Sequence, residues 1–170
     1  MFKGGPARPR HSGIRTRKAR PSDRRGILSI IKRCDNLTPD ESDCAGELLD
    51  IYLKRPGQKD YHFIAAVDGR KDVVGYACYG KRPLTEAAYD LYWLLVDPLK
   101  RSMGAGTALL RHVAEALKKG RADMLIAETS SKGSYGPARR FYLKAGFKKN
   151  ARIKDFYRKG EDLIIYVKGL

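Results

Sequence analysis

The segment that most constrains the fold lies between Leu91 and Glu128. Leu91 to Val96 is a short, nearly all-apolar run, the pattern of a strand covered on both faces and therefore central in its sheet. It ends at Asp97-Pro98, and the chain then passes through Leu99-Lys100-Arg101-Ser102-Met103-Gly104-Ala105-Gly106-Thr107 into an amphipathic stretch. Gly104 to Lys119 carries Leu109, Leu110, Val113, Ala116 and Leu117 on one helical face. Met124 to Glu128 follows as a second buried strand. Two buried strands joined through a glycine-bearing helix entrance point to an α/β architecture in which helices cover a sheet.

The remaining segments extend that arrangement. Ile14 to Ala19 reads as a first strand, and Ser22 is placed to cap a helix in which Ile27, Leu28, Ile30, Ile31 and Cys34 recur at helical spacing. Thr38-Pro39-Asp40-Glu41 is a capping box for the next helix, whose apolar face is Ala45, Leu48, Leu49 and Tyr52. Tyr61 to Val67 and Val73 to Tyr79 flank Asp68-Gly69, the signature of an antiparallel hairpin. Pro137 opens a short helix to Ala145, which Gly146 stops. Ala151 to Tyr157 and Leu163 to Val167 are two last strands turning through Lys159-Gly160. The expected order is β-α-α-β-β-β-α-β-α-β-β, a mixed α/β sheet flanked by helices, in one domain over residues 14–170.

Charge and composition exclude several classes. No apolar run approaches the roughly 18 residues that a membrane span needs, and no apolar stretch follows the basic start as in a secretory signal. Cys34, Cys44 and Cys78 are scattered, as are His11, His62 and His112, so neither disulfides nor a metal site are expected, and a reducing, cytoplasmic location is. The net charge is +16, and half of it sits in the first 25 residues, where nine basic side chains face Asp23 alone. Residues 1–13, rich in Gly, Pro and Arg, read as a disordered basic arm. A nucleic-acid partner is one reading of that arm; the absence of aromatic residues for base stacking speaks for a solvated arm instead.

Two constellations carry chemistry. At the entrance of the long helix, backbone N–H groups lack helical partners and face the positive end of the helix dipole. Gly104 and Gly106 let a phosphate approach that backbone closely, and Lys100 and Arg101 add positive charge. The second is Ala138-Arg139-Arg140-Phe141-Tyr142-Leu143-Lys144-Ala145-Gly146-Phe147, in which Tyr142 is read either as a core residue of an amphipathic helix or as a reactive phenol.

Together the two resemble the GCN5-related N-acetyltransferase (GNAT) family over residues 14–170. Arg101-Ser102-Met103-Gly104-Ala105-Gly106 is similar to the family's acetyl-CoA pyrophosphate loop, and Phe141 to Phe147 to its last helix. Lys154-Asp155-Phe156-Tyr157 and Gly160-Glu161-Asp162-Leu163 resemble small bacterial and archaeal members. The resemblance implies an acyltransferase moving the acetyl group of acetyl-CoA to a primary amine by direct attack in a ternary complex. It implies that Leu94-Leu95-Val96 splay from Met124–Glu128 and pair with the pantetheine arm. Arg101, Ser102, Met103, Gly104, Ala105, Gly106 and Thr107 would hold the pyrophosphate, and Tyr142 would protonate the departing thiolate. Glu128 matches a glutamate that some relatives use as base toward the amine. The chemistry asks for such a base: a lysine-like amine near pKa 10.4 is only about 0.04% free at pH 7.

The sequence also departs from the family pattern. Ser134-Tyr135-Gly136-Pro137 stands where many relatives have asparagine at the start of the last helix, and Glu128 lies two residues further from Tyr142. Glu86 and Asp90 are rival bases. A catalytically silent acyl-CoA-binding or sensing domain and a nucleic-acid-binding basic protein are the alternative functions. The acceptor, a small-molecule or protein amine, and the oligomeric state are not legible.

Overall fold

Residues 13–170, which the computed structural model describes, form seven strands and four α-helices. In chain order these are β1 (Arg15–Lys18), α1 (Arg24–Arg33), α2 (Pro39–Lys54), β2 (His62–Val67), β3 (Val73–Lys81), β4 (Ala88–Val96), α3 (Ala105–Lys119), β5 (Met124–Ser130), α4 (Gly136–Lys144), β6 (Lys148–Arg158) and β7 (Glu161–Gly169). The expected element order is met. The arm expected over residues 1–13 lies, apart from Gly13, outside the described residues.

One mixed sheet runs β1-β2-β3-β4-β5-β7-β6, antiparallel except for the parallel pair of β4 and β5. Side-chain alternation on β2 divides the core between the two faces. Ile64 and Ala66 pack with Leu109, Leu110, Val113 and Leu117 of α3, whereas Phe63 and Ala65 pack with Ile27 and Ile31 of α1 and Ala45 and Leu49 of α2. The leucine and valine stripe of α3 is the amphipathic face read from the sequence. The α2 capping box forms as expected: Thr38 Oγ1 accepts from the Glu41 N–H at 3.2 Å, and Glu41 Oε2 accepts from the Thr38 N–H at 2.7 Å.

Three local expectations are corrected. Ser22 does not cap α1; Asp23 occupies the N-cap position without a side-chain cap bond to the helix, and its carboxylate instead accepts the Arg20 N–H at 2.7 Å and holds Arg17 in a two-pronged ion pair. Burial alone would raise the Asp23 pKa, but the Arg17 guanidinium and the Arg20 N–H outweigh it and hold the carboxyl below its ordinary value. Asp68-Gly69 is not a two-residue turn. Asp68 Oδ1 accepts from the N–H groups of Arg70 and Asp72, and Lys71 takes the left-handed conformation at φ 68°, so the hairpin loop spans Asp68–Asp72. Finally, β4 is central and packs on both faces, through Leu94 and Val96 on one cluster and Tyr92, Trp93 and Leu95 on the other, but the cover is partial: Ala88 and Leu91 are buried, while residues 92–96 are only half-buried.

Candidate active site

The exposure of β4 has a specific origin. Cys78 pairs with Trp93 and Tyr79 with Leu91, which leaves Tyr92 as an extra residue on β4. Such a bulge bends its strand and increases local twist. Gly80 sits beside it because a Cβ there would collide with the Asp60 backbone carbonyl. The pairing of β4 with β5 stops at the same point: Ala88–Leu91 match Met124–Ala127, and nothing of β4 beyond Leu91 pairs with β5. β5 itself continues along β7 as far as Ser130. The two central strands thus part, and residues 92–96 keep one backbone edge free while the other stays bonded to β3.

A cleft of about 370 Å³ occupies the fork. Leu94, Leu95, Asp90, Glu128 and Tyr142 all line it, so the structure brings together residues from β4, β5 and α4 that the sequence analysis singled out. Val96 lies deeper, close to Gly106. Glu86 is not among the lining residues; it stands exposed in the β3–β4 connection.

The carboxylates are organised by one cation. Arg82 Nη1 lies 2.8 Å from Asp90 Oδ1 and 3.5 Å from Glu128 Oε1. Burial raises the Asp90 pKa, Arg82 opposes this, and the neighbouring Glu128 charge adds to the rise, leaving Asp90 above the ordinary carboxylate value. Glu128 is the more solvated of the two, at 41% side-chain exposure against 17%. It is also the first β5 residue past the pairing with β4.

Tyr142 reconciles both readings of its helix. It is only 8% exposed and belongs to the core, yet it lines the cleft. Phe147, Tyr166 and Phe141 hold its ring, with centroids 5.2, 5.8 and 5.9 Å away. Burial pushes its pKa up to about 12, so it is a neutral hydrogen-bond donor throughout the physiological range.

The α3 entrance lies at the far end of β4. Asp97 is buried, accepts from the Leu99 N–H at 3.0 Å and is clasped by Arg33 from α1 at 2.6 and 3.1 Å, which fixes the start of the loop. Ser102 and Gly104 both adopt left-handed backbone, at φ 65° and 79°. Left-handed residues in such a turn are one element of the backbone concavities that can bind anions. Gly104 is the N-cap without a side-chain cap bond, so the first N–H groups of α3 are unclaimed by one. Arg101, Ser102, Met103, Gly104 and Thr107 are exposed, while Ala105 anchors the turn in the core. A second cavity of about 420 Å³ begins at Thr107 and runs between α3 and α4 past Arg111, Phe141, Lys144 and Lys168.

Other cleft residues escaped the sequence analysis. Tyr92, Trp93, Tyr135 and Tyr157 line it together with Glu41, Arg82 and Glu161. Tyr135 stands in the segment that departs from the family pattern, and its hydroxyl donates toward the Glu41 carboxylate and the Asn36 carbonyl, both 3.1 Å away. It ties the start of α4 to the α1–α2 connection. Tyr157 lies in a stretch of β6 that loses its pairing with β7 between Ile153 and Arg158, which frees it to face the cleft. The unpaired aromatic is the signal that was available; its direction required the bulge. Among the described residues, no three His, Cys, Asp or Glu side chains come together as metal ligands would.

Comparison with known proteins places this geometry. The family profile of the acetyltransferase (GNAT) domain matches residues 58–149. A crystal structure from Desulfovibrio desulfuricans, described as a candidate acetyltransferase of the GNAT family, shares 40% identity over 92% of this chain and 98% of its own, with a TM-score of 0.86. The ribosomal-protein-S18-alanine N-acetyltransferase of Escherichia coli shares the fold at 18% identity, TM-score 0.71, over 92% of this chain and 93% of its own. An aminoglycoside 6'-N-acetyltransferase complexed with coenzyme A shares it at 14% identity, TM-score 0.70, over 91% and 96%. No curated protein sequence matches the chain.

Proposed function

The chain belongs to the GNAT acetyltransferase family, and from that premise we propose that it is a cytoplasmic enzyme transferring the acetyl group of acetyl-CoA to a primary amine in a ternary complex. The observation that carries the reading is the fork itself: a free β4 edge, a buried phenol and a solvated carboxylate meet in one cleft, and a helix entrance without a side-chain cap bond lies at the end of the same strand.

Acetyl-CoA supplies an activated thioester and a leaving thiol. In this reading the α3 entrance from Arg101 to Thr107 binds the pyrophosphate. The free edge at Leu94, Leu95 and Val96 hydrogen-bonds the pantetheine arm. The basic cavity at Arg111, Lys144 and Lys168 suits the outer phosphate of the nucleotide. Glu128 takes a proton from the incoming ammonium through water, the free amine forms the new N–C bond as the C–S bond breaks, and the proton the nitrogen then sheds ends on the departing thiolate, giving the amide and the CoA thiol. Asp90 is held more closely by Arg82 and orients that cation between the two carboxylates. Tyr142 offers its O–H to the departing sulfur. Burial raises the pKa of a thiol in the same cleft as well, but the phenol at about 12 starts above an ordinary thiol at about 8.5, so full proton transfer from it is uphill. Tyr142 therefore acts chiefly as a hydrogen-bond donor to developing negative charge.

The base assignment is tested by pH. With a lysine-like acceptor, Glu128→Gln is expected to lower turnover by at least about tenfold below pH 7, with the loss shrinking as pH rises and free amine becomes abundant. Rate profiles of Glu128→Gln and Asp90→Asn, measured side by side, decide the assignment. A larger, low-pH-weighted loss in Asp90→Asn moves the role to Asp90.

A further inference from the structure

We propose that the acceptor is a small aliphatic di- or polyamine, whose second positive charge is held at Glu41 while its reacting amine lies at the Asp90–Glu128 pair. This rests on the acetyltransferase reading above and narrows its substrate class.

The cleft is acidic on a strongly basic chain. Its charged lining is Glu41, Asp90, Glu128 and Glu161 against Arg82, whereas the chain as a whole carries +16. Not all of these carboxylates are available. Glu161 accepts from Ser130 Oγ at 2.7 Å and is paired with two cations, Lys132 at 3.0 Å and Arg158 at 2.9 Å, so this group carries one surplus positive charge. Asp90 and Glu128 share the single charge of Arg82, which leaves one negative charge between them. Glu41 has no cationic partner among the described residues; its carboxylate is held by the Thr38 N–H and the Tyr135 hydroxyl, both neutral donors. Two unpaired negative charges therefore face the cleft, one on the β4–β5 side and one at the first turn of α2, and together they outweigh the one surplus positive charge at Glu161.

The lining between them is aromatic. Tyr92, Trp93, Tyr135 and Tyr157 offer apolar faces to a methylene chain and π surfaces to an ammonium group. An anionic acceptor would meet carboxylates on both sides, and a neutral one would leave Glu41 without a counter-charge. An independent feature marks the cleft as a ligand site: Tyr142 is more than nine-tenths buried and lines it, and its hydroxyl has no hydrogen-bond partner among the described residues. A cavity of about 370 Å³ that must also admit the acetyl end of the donor suits a slender chain better than a folded peptide segment.

The test compares cadaverine with pentylamine, which present the same primary amine on the same chain length and differ in the second charge. With saturating acetyl-CoA and the full-length protein, kcat/KM from CoA release is expected to favour cadaverine by at least about tenfold, beyond the statistical advantage of two equivalent ends. The preference should fall as salt is raised. Glu41→Gln keeps the capping geometry and removes the charge, and it is expected to bring the ratio toward one. A melt of the variant checks that α2 is intact, and the shift produced by each amine in the presence of CoA reads binding without turnover. Equal treatment of the two amines in both rate and melt overturns the inference. Preference for a tetralysine peptide over cadaverine overturns the small-molecule assignment. A protein whose melt does not respond to acetyl-CoA at all instead overturns the acetyltransferase reading on which the inference stands.

Discussion

Replacing Tyr142 by phenylalanine is expected to lower single-turnover acetyl transfer by at least about tenfold while leaving acetyl-CoA affinity nearly unchanged. The substitution removes one oxygen and keeps the ring, so the contacts with Phe141, Phe147 and Tyr166 persist. General acid catalysis typically contributes about 10²- to 10⁴-fold. Here the lower part of that range applies, because a phenol held at about pKa 12 donates a hydrogen bond more readily than it gives up its proton. The rate must be read where chemistry limits it, since slow product release would conceal the loss. Melting with and without acetyl-CoA separates a catalytic loss from a damaged core. Full single-turnover activity in Tyr142→Phe would show that this phenol does not assist the leaving group.

Gly106→Asp is expected to abolish stabilisation by acetyl-CoA while the unliganded protein remains folded. In the wild type, ligand at about 100 times its dissociation constant stabilises by roughly 2.7 kcal/mol, which at this chain length raises Tm by roughly 5 to 11 °C. A Cβ at Gly106 would meet Phe141 at 3.5 Å and Val96 at 3.6 Å, ordinary contact distances, so the helix accepts a side chain there. A carboxylate in the first helical turn is favoured by the dipole and offsets any crowding. The same negative charge repels a pyrophosphate at the α3 entrance. Gly104 is the poorer test, because its φ of 79° would strain any replacement and mix folding with binding. A full ligand-induced shift in Gly106→Asp would move the phosphates away from this loop.

Much of the fold was legible because period and punctuation agree in this chain. The α3 stripe, the Thr38 capping box and the Lys159-Gly160 turn are local codes, and each is realised. Asp68-Gly69 misled because Asp68 spends its side chain on the N–H groups of Arg70 and Asp72, a competition that a dipeptide signal does not register. Leu91 to Val96 reads as a strand covered on both faces, and it packs against both core clusters, but an apolar run does not reveal that residues 92–96 are covered only in part and line a cleft. The bulge at Tyr92, where the cover becomes partial, depends on pairing with β3. The α3 entrance from Arg101 to Thr107 and Tyr142 stand out in the sequence because each belongs to a contiguous motif. Arg82, Glu41, Tyr135 and Tyr157 come to the cleft from the β3–β4 connection, the first turn of α2, the segment before α4 and the end of β6, so no spacing in the sequence announces them. Glu86 and Asp90 were equivalent as sequence, and register separates them, since Asp90 lies on β4 opposite Ile126 while Glu86 precedes the strand.

The most direct measurement is a single-turnover reaction of the full-length protein with acetyl-CoA and a panel of primary amines, following thiol release and N-acetylated product together. The expected result is equal release of CoA and acetylated amine, requiring both substrates and fastest with diamines. An acetyl-CoA-stabilised protein that forms no N-acetyl product with any amine of the panel would contradict the enzyme reading and identify the chain as a silent acyl-CoA binder.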